Sequence, residues 1–398
     1  MKLLKLQLEN FRNYKSYSYE FDKENNFTII KGPNGKGKTN LLEAIYALSL
    51  GKSFRTVMYD DLILWGMDYM RVKGIVDVDE ENLELEVFYT NFPAKKKNFK
   101  KNGVSLKNSE YIGNLLTVLF QPEDLNILYL SPSLRRRYMD ILLSQTDKAY
   151  LQALLKYNKA LKQRNTLLNE IRKCRFGSLS FPRRRESTSL TTDISPRAEG
   201  RNDNLLKDLD AWDEKIIQFG SVITEKRLGL ISFLSEKLEK LYQSISGDKE
   251  KIKVEYKSKI IKEKDAFPLN KISFVSQVYT DEIAFAREKD IIQAKTTIGP
   301  HRDDLVFFID GKDITTSASR GEFRTLLLAI KLAEIDFIKE KTDQHPLLLL
   351  DDVFSELDKN RQELLLKAIK NCQTIIATTD TENIEKLASD SILLALES

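Results

Sequence analysis

Phe27-Thr28-Ile29-Ile30-Lys31-Gly32-Pro33-Asn34-Gly35-Lys36-Gly37-Lys38-Thr39 decides the fold class. A short apolar strand runs into the pattern G-x-x-x-x-G-K-T, and Leu41, Leu42, Ile45 and Leu48 then follow at helical spacing. Strand, glycine-rich turn and helix in that order make a phosphate cradle. The glycines let consecutive backbone N–H groups turn inward around a β-phosphate, and the positive end of the helix adds its field. In such a cradle Lys38 bridges the β- and γ-phosphates of ATP and the Thr39 hydroxyl ligates Mg²⁺.

The same texture recurs on both sides of the cradle. Residues 3–8 alternate as a strand, and 72–89 read as a hairpin through Leu83, Leu85 and Val87. Strands are expected again at 252–256, 305–309, 347–350, 374–377 and 392–396, with a helix from Gly321 to about Lys341. Alternation of strand and helix implies a parallel sheet with helices packed on it. Between these parts, 133–173 and 205–245 are rich in Leu, Lys and Gln at helical spacing and read as two long arms. Residues 175–203, arginine- and serine-rich with few apolar positions, read as a mobile insertion. The expected organisation is one α/β sheet domain at 1–125 and 251–398, interrupted by a helical, short coiled-coil-like domain at 126–250.

Leu347-Leu348-Leu349-Leu350-Asp351-Asp352 supplies the partner of the cradle. A buried strand ending in two acids sets a carboxylate at the sheet's C-terminal edge, where α/β sheets bind ligands. Asp351 is expected in the Mg²⁺ shell and Asp352 at the attacking water, a role that in this enzyme class often falls to Glu. Alone, the pair could simply cap the next turn. Ser317-Ala318-Ser319-Arg320-Gly321-Glu322 opens a helix and makes a second anion-binding start, which in isolation is only an N-cap. Two such starts, too far apart to serve one nucleotide side by side, point to two chains facing each other.

Composition narrows the classes. The 398 residues are 41% hydrophobic and 31% charged, enough for a packed core. No stretch approaches the roughly 20 apolar residues of a membrane span, and no secretory segment is visible, so a cytoplasmic chain is expected. Two cysteines and two histidines give neither a disulfide framework nor a zinc set. Net charge is only +4, but basic residues cluster at Lys95, Lys96, Lys97, Lys100, Lys101 and Lys107, at Arg135, Arg136 and Arg137, and at Arg183, Arg184 and Arg185. Any one of these runs reads equally well as a solvated loop.

The ordered set of P-loop, Ser-x-Gly-Glu and Leu-Leu-Leu-Asp-Asp-Val-Phe-Ser-Glu-Leu-Asp resembles the ABC-type head ATPases of the SMC class. Glu9-Asn10-Phe11-Arg12-Asn13-Tyr14, Gly51 to Arg55, Pro122-Glu123-Asp124-Leu125, Pro132 to Asp140 and Gly299 to Asp304 narrow the resemblance to the bacterial RecF family. It implies that Gly32 to Thr39 hold ATP, with Arg12 and Gln121 beside it. It implies that Ser319 and Gly321 contact the γ-phosphate held by a second copy, and that Ser355-Glu356-Leu357-Asp358 form a loop at the seam. It further implies slow, DNA-stimulated ATP hydrolysis resetting a dimer on gapped or junction DNA, in replication, recombinational repair and the SOS response. RecR and RecO are the implied partners, helping to load RecA. The lysines from Lys95 to Lys101, with Arg135 and Arg136, are the expected DNA contacts. Three positions depart from the family pattern: Leu130 where glycine is usual, Glu322 where glutamine is common, and Thr378-Thr379-Asp380 where many ABC ATPases carry a switch histidine. His301 could be catalytic, but a turn holding Arg302 near Asp303 is the simpler expectation. The alternative is an SMC-like chromosome-organising ATPase, which needs arms of hundreds of heptad residues; a transporter motor and a metabolic kinase fit less well.

Overall fold

The computed structural model describes residues 1–33, 35–176, 196–247, 249–261, 272–378 and 391–396. Asn34, Arg183 to Arg185, Thr379, Asp380 and much of the expected insertion lie outside the described residues. Two compact units emerge, Met1–Lys148 with Phe233–Val254 and Phe307–Ser398, and Ala149–Ser232 with Glu255–Val306.

The first unit holds two sheets. One is six-stranded, from β1 (Lys2–Phe11), β2 (Tyr14–Glu20), β4 (Tyr69–Val78), β5 (Glu81–Thr90), β6 (Lys96–Lys101) and β7 (Val104–Leu106), in the order β2-β1-β4-β5-β6-β7. Its paired strands run antiparallel. The other takes β3 (Phe27–Lys31), β8 (Thr117–Phe120), β12 (Leu347–Asp351), β13 (Thr374–Ala377) and β14 (Ile392–Ala395). Its order is β14-β3-β13-β12-β8, all parallel, with Asp351 level with Ala377 and Leu350 with Phe120. A third, small sheet orders β9 (Ile252–Lys257), β10 (Asp304–Ile309) and β11 (Lys312–Asp313) as β11-β10-β9.

The helix Lys38–Leu50 touches β1, β4 and β5 of the antiparallel sheet and β8, β12 and β13 of the parallel one. Leu41, Leu42, Ala44, Ile45 and Leu48 are accordingly all fully buried. A helix between two sheets has no solvent face, which explains why its sequence is apolar nearly all round. The lysine-rich run, for which a solvated loop is an equal reading from sequence, instead forms the β6–β7 hairpin from Lys96 on. Asn102 (φ 50°) and Gly103 (φ 79°) turn it, as the left-handed pair a tight hairpin needs.

The second unit is a helical bundle built from the helices Lys148–Phe176 (from Ala149 on), Pro196–Ser246 (as far as Ser232) and Ile272–Gln293, the end of the second helix from Phe233 belonging to the first unit. Leu167, Leu168, Ile171, Leu209 and Ile291 bring all three helices to one core, against which Leu205, Leu206 and Trp212 pack. The structure departs from the sequence reading in four ways. The first arm breaks at Asp147, whose extended backbone separates Pro132–Thr146 from Lys148–Phe176. The second begins at Pro196, inside the stretch read as an insertion. The helix 272–293 was not foreseen, and residues 255–306 group with the arms and not with the head. Side chains explain that grouping. The Tyr157 hydroxyl meets His301 Nδ1 at 2.7 Å, Arg227 donates to the Pro300 carbonyl at 2.7 Å, and Tyr256 donates to Asp303 at 2.7 Å. His301 thus serves a structural turn, and Arg302 donates to the Thr296 carbonyl.

Candidate nucleotide site

The phosphate cradle forms where β3 ends at the C-terminal edge of the parallel sheet. Gly37, just before the helix, has φ 102°, a conformation costly for any residue with a Cβ. A Cβ there would lie 2.7 Å from Asn13 Nδ2 and 2.8 Å from Tyr14 Oη. Those two side chains clasp the loop from outside, Asn13 donating to the Lys36 carbonyl at 3.3 Å and Tyr14 to the Gly37 carbonyl at 3.1 Å. The glycine therefore answers to both backbone twist and a close approach. Lys38 is buried, its ammonium folded onto the Gly32 carbonyl at 2.7 Å and the Pro33 carbonyl at 3.3 Å.

Thr39 is one residue further on, and its hydroxyl donates to Asp351 Oδ1 at 2.9 Å. This bond joins residues 312 apart in sequence, and it brings together the two predicted Mg²⁺ ligands. Burial pushes the Asp351 carboxyl up to about 6; the Thr39 hydrogen bond opposes this, and the charges of Asp352 and Glu123 add to it. Asp352 has φ 51°, its N–H donates to the Ala377 carbonyl at 2.8 Å, and its Oδ1 is buried without a hydrogen-bond partner. A hydroxyl, a destabilised carboxylate and an orphaned carboxylate oxygen are hard oxygen donors that fit Mg²⁺.

Gln121 follows β8, the neighbour of β12, so it lies beside Asp351 along the sheet edge. Its N–H donates to Asp124 Oδ2 at 3.2 Å, and Asp124 in turn pairs with the buried ammonium of Lys331 at 3.1 Å. Arg12 is at the β1–β2 turn. Its Nε and Nη2 donate to Glu43 at 2.8 and 2.7 Å, and its Nη1 to the Asp61 carbonyl at 2.7 Å. Glu43 is the residue the sequence reading missed: fully buried on the cradle helix, it also accepts from Ser53 and faces Arg55 at 3.7 Å. The signal was present, since an acid inside Leu41-Leu42-Glu43-Ala44-Ile45 must find a cation. Arg12 and Arg55 then line an open groove of about 660 Å³ with Asn13 and Asn40.

The second anion-binding start is the helix Arg320–Thr342, capped by Ser319. The Ser319 hydroxyl accepts from the Glu322 N–H at 3.2 Å, and Glu322 Oε2 accepts from the Ser319 N–H at 2.5 Å. Gly321 is open, with space where a Cβ would stand. The loop Ser355 to Asp358 is fastened to this helix: Arg324 pairs with Glu356, and Arg361, bonded to Asp358, donates to Thr325 at 2.6 Å.

The expected DNA contacts do not share one face. The strand pleat sends Lys96 and Lys100 to one side of β6 and Lys97 and Lys101 to the other. Lys95 pairs with Asp60 at 2.5 Å, Lys100 with Glu86 at 2.9 Å, and Lys101 donates to Asn114 at 2.8 Å. Lys97 donates to the Gly51 carbonyl at 3.1 Å and lies 3.7 Å from the Tyr59 ring centroid. Arg135 is buried and donates to the Ile127 and Leu130 carbonyls, which removes it from any surface footprint. Leu130 itself has φ −91°, outside the left-handed region that favours glycine. Arg136 is half-buried on the same helix, and Lys96 is exposed.

Comparison with known proteins bears on the family. The family model for the RecF/RecN/SMC N terminal domain matches residues 2–395. A DNA replication and repair protein RecF from Oceanobacillus iheyensis is 36% identical over 386 residues, covering 96% of this chain and 95% of that protein. Its counterpart from Bacillus cytotoxicus is 35% identical over 387 residues, covering 97% and 94%. A solved RecF–ATP structure, of the recombination mediator protein in the RecFOR pathway, is 32% identical with a TM-score of 0.80, covering 95% and 92%. An Smc head domain from Pyrococcus yayanosii shares the fold at 14% identity and a TM-score of 0.51, covering 99% and 94%.

Proposed function

The chain belongs to the RecF family, with an ABC-type head of the kind found in SMC proteins, and from that premise we propose that it is an ATP-gated DNA clamp of replication and recombinational repair. ATP sits in the Gly32–Thr39 cradle with Lys38 on its phosphates, and Mg²⁺ is held by Thr39 and Asp351. Two copies face each other so that Ser319 and Gly321 of each meet the γ-phosphate held by the other. The dimer embraces gapped or junction DNA and acts with RecR and RecO to load RecA, and slow hydrolysis at Asp352 resets it.

The observation that supports this reading best is the Thr39–Asp351 hydrogen bond. It joins cradle and acid strand, while the Ser319 helix start remains exposed. A ligand drives closure only by binding the closed state better, and a γ-phosphate touched by both copies supplies that difference. Mg²⁺, when bound, neutralises charge developing on the phosphates. For DNA, Lys96 is the surviving candidate from the lysine run, and Lys52 and Arg137 join it. Burial together with the charge of Arg137 holds the Lys52 ammonium down to about 8, a cost that a phosphate backbone would relieve.

Ser319→Arg fills the open helix start while leaving the cradle intact. It is expected to bind ATP within about threefold of the parent and to remain monomeric, whereas Lys38→Ala loses nucleotide and dimer together. Sedimentation with ATP decides. A Ser319→Arg protein that still dimerises on ATP would remove the facing-copy geometry.

A further inference from the structure

We propose that Lys331 is a positioning residue for ATP hydrolysis, its buried ammonium holding the Asp124 carboxylate that seats Gln121 beside Asp351. The proposal rests on the nucleotide reading given under Proposed function. Lys331 lies about three turns into the helix Arg320–Thr342 and is buried. Its Nζ donates to the Leu119 carbonyl at 2.6 Å and lies 3.1 Å from Asp124 Oδ2 and 3.4 Å from Glu334 Oε2. That same Asp124 oxygen accepts the Gln121 N–H at 3.2 Å, and the Asp124 N–H donates to the Gln121 carbonyl at 3.0 Å. One carboxylate oxygen thus joins an ammonium of the helix to the backbone of Gln121.

Stability alone does not call for such a cluster, since neutral side chains of similar volume often replace a buried ionic group at no cost. What the cluster supplies is a fixed position. Burial works against the ammonium charge, but Asp124 and Glu334 outweigh it and raise the Lys331 pKa, so the group stays charged at neutral pH. An apolar contact would let the turn Pro122–Leu125 slide along the helix; directed bonds to Asp124 and to the Leu119 carbonyl fix it. Room to slide exists. A cavity of about 220 Å³ adjoins the cluster, lined by Gln121, Asp124, Lys331, Glu334 and Tyr138, whose buried hydroxyl has no hydrogen-bond partner. The same helix holds the loop Ser355 to Asp358 through Arg324 and Arg361, so one element places Gln121 and that loop together.

Lys331→Met alone strands two buried carboxylates, so the test uses Lys331→Met/Asp124→Asn/Glu334→Gln, which removes all three charges. With Mg²⁺ and ATP, this full-length variant should bind nucleotide within about threefold of the parent and hydrolyse it with kcat about tenfold lower at unchanged KM. Gln121→Ala should lower the kcat of the parent by about tenfold as well. Added to the triple change it should cost less than about threefold more, because both act through one side chain, whereas independent effects multiply to about a hundredfold. A cluster that is merely structural does not give this non-additivity. Multiplying effects, a triple variant with kcat within threefold of the parent, or one that does not fold, overturns the proposal alone. So does a Gln121→Ala protein as active as the parent. A parent that hydrolyses no ATP overturns the nucleotide reading and this proposal together.

Discussion

Asp351 and Thr39 illustrate how far single residues were legible. Each fitted a motif with a mechanical reason, and the 2.9 Å bond between them brings the two motifs to one place. Glu43 was not read, because burial is a tertiary property and a lone acid in a helix usually faces water. Asp351→Asn keeps the shape of this site but removes its charge. It should lower Mg²⁺-dependent ATP hydrolysis by at least about 100-fold while leaving nucleotide affinity in chelator within about threefold. Hydrolysis retained within tenfold would take Asp351 out of the metal shell. Lys52 makes a pH-dependent case. Its folded value near 8 lies below the ordinary 10.5, so between these the unfolded chain binds more protons and stability rises with pH. Below about pH 8 the full cost is present. Lys52→Met should therefore raise urea stability at pH 7 by about 1 kcal/mol, after allowance for partial exposure, and flatten the rise from pH 8 to 10. A variant less stable at pH 7 contradicts this.

Elements were legible where period and punctuation agreed. The strand into Gly32 and the helix after it, the acid-ended strand at 347–351 and the Ser319 cap all stand where spacing put them. The β6–β7 hairpin was missed although Asn102-Gly103 is a strong turn signal, because lysines on both faces of β6 hide the alternation that marks a strand. The third helix of the arm bundle was missed because its exposed apolar residues, among them Phe285 at 87% exposure, blur its stripe. What fastens that bundle is Arg164, fully buried, with Asp213 Oδ1 at 2.6 Å and Asp290 Oδ2 at 2.7 Å. One guanidinium thereby ties all three helices. Burial raises the Asp213 carboxyl, and Arg164 opposes that. Arg164→Leu takes the cation from buried Asp290 and leaves Asp213 only Arg287 at 3.6 Å, and should cost about 3–5 kcal/mol. Trp212, packed on this core, reports the loss through its fluorescence during denaturation. A change below about 1 kcal/mol would mean the helices are held by apolar packing alone.

At the scale of the molecule, fold class and family were readable because ordered motifs constrain one another more than any does alone. Unit boundaries were less so: residues 255–306 look like a continuation of the head, yet the Tyr157–His301 and Arg227–Pro300 contacts group them with the arms. No helix among the described residues is long and apolar enough to cross a membrane. Basic runs in sequence did not become one surface, since a pleated strand divides them and acids elsewhere claim several. The proposed clamp depends on a nucleotide shared between two copies. Light scattering of the unaltered chain with Mg²⁺ and ATP, with ADP, and without nucleotide, each with and without gapped duplex DNA, addresses that claim directly. The expected result is a mass doubling with ATP only, on DNA or off it; a chain that grips gapped DNA in ATP at the mass of one copy would contradict it.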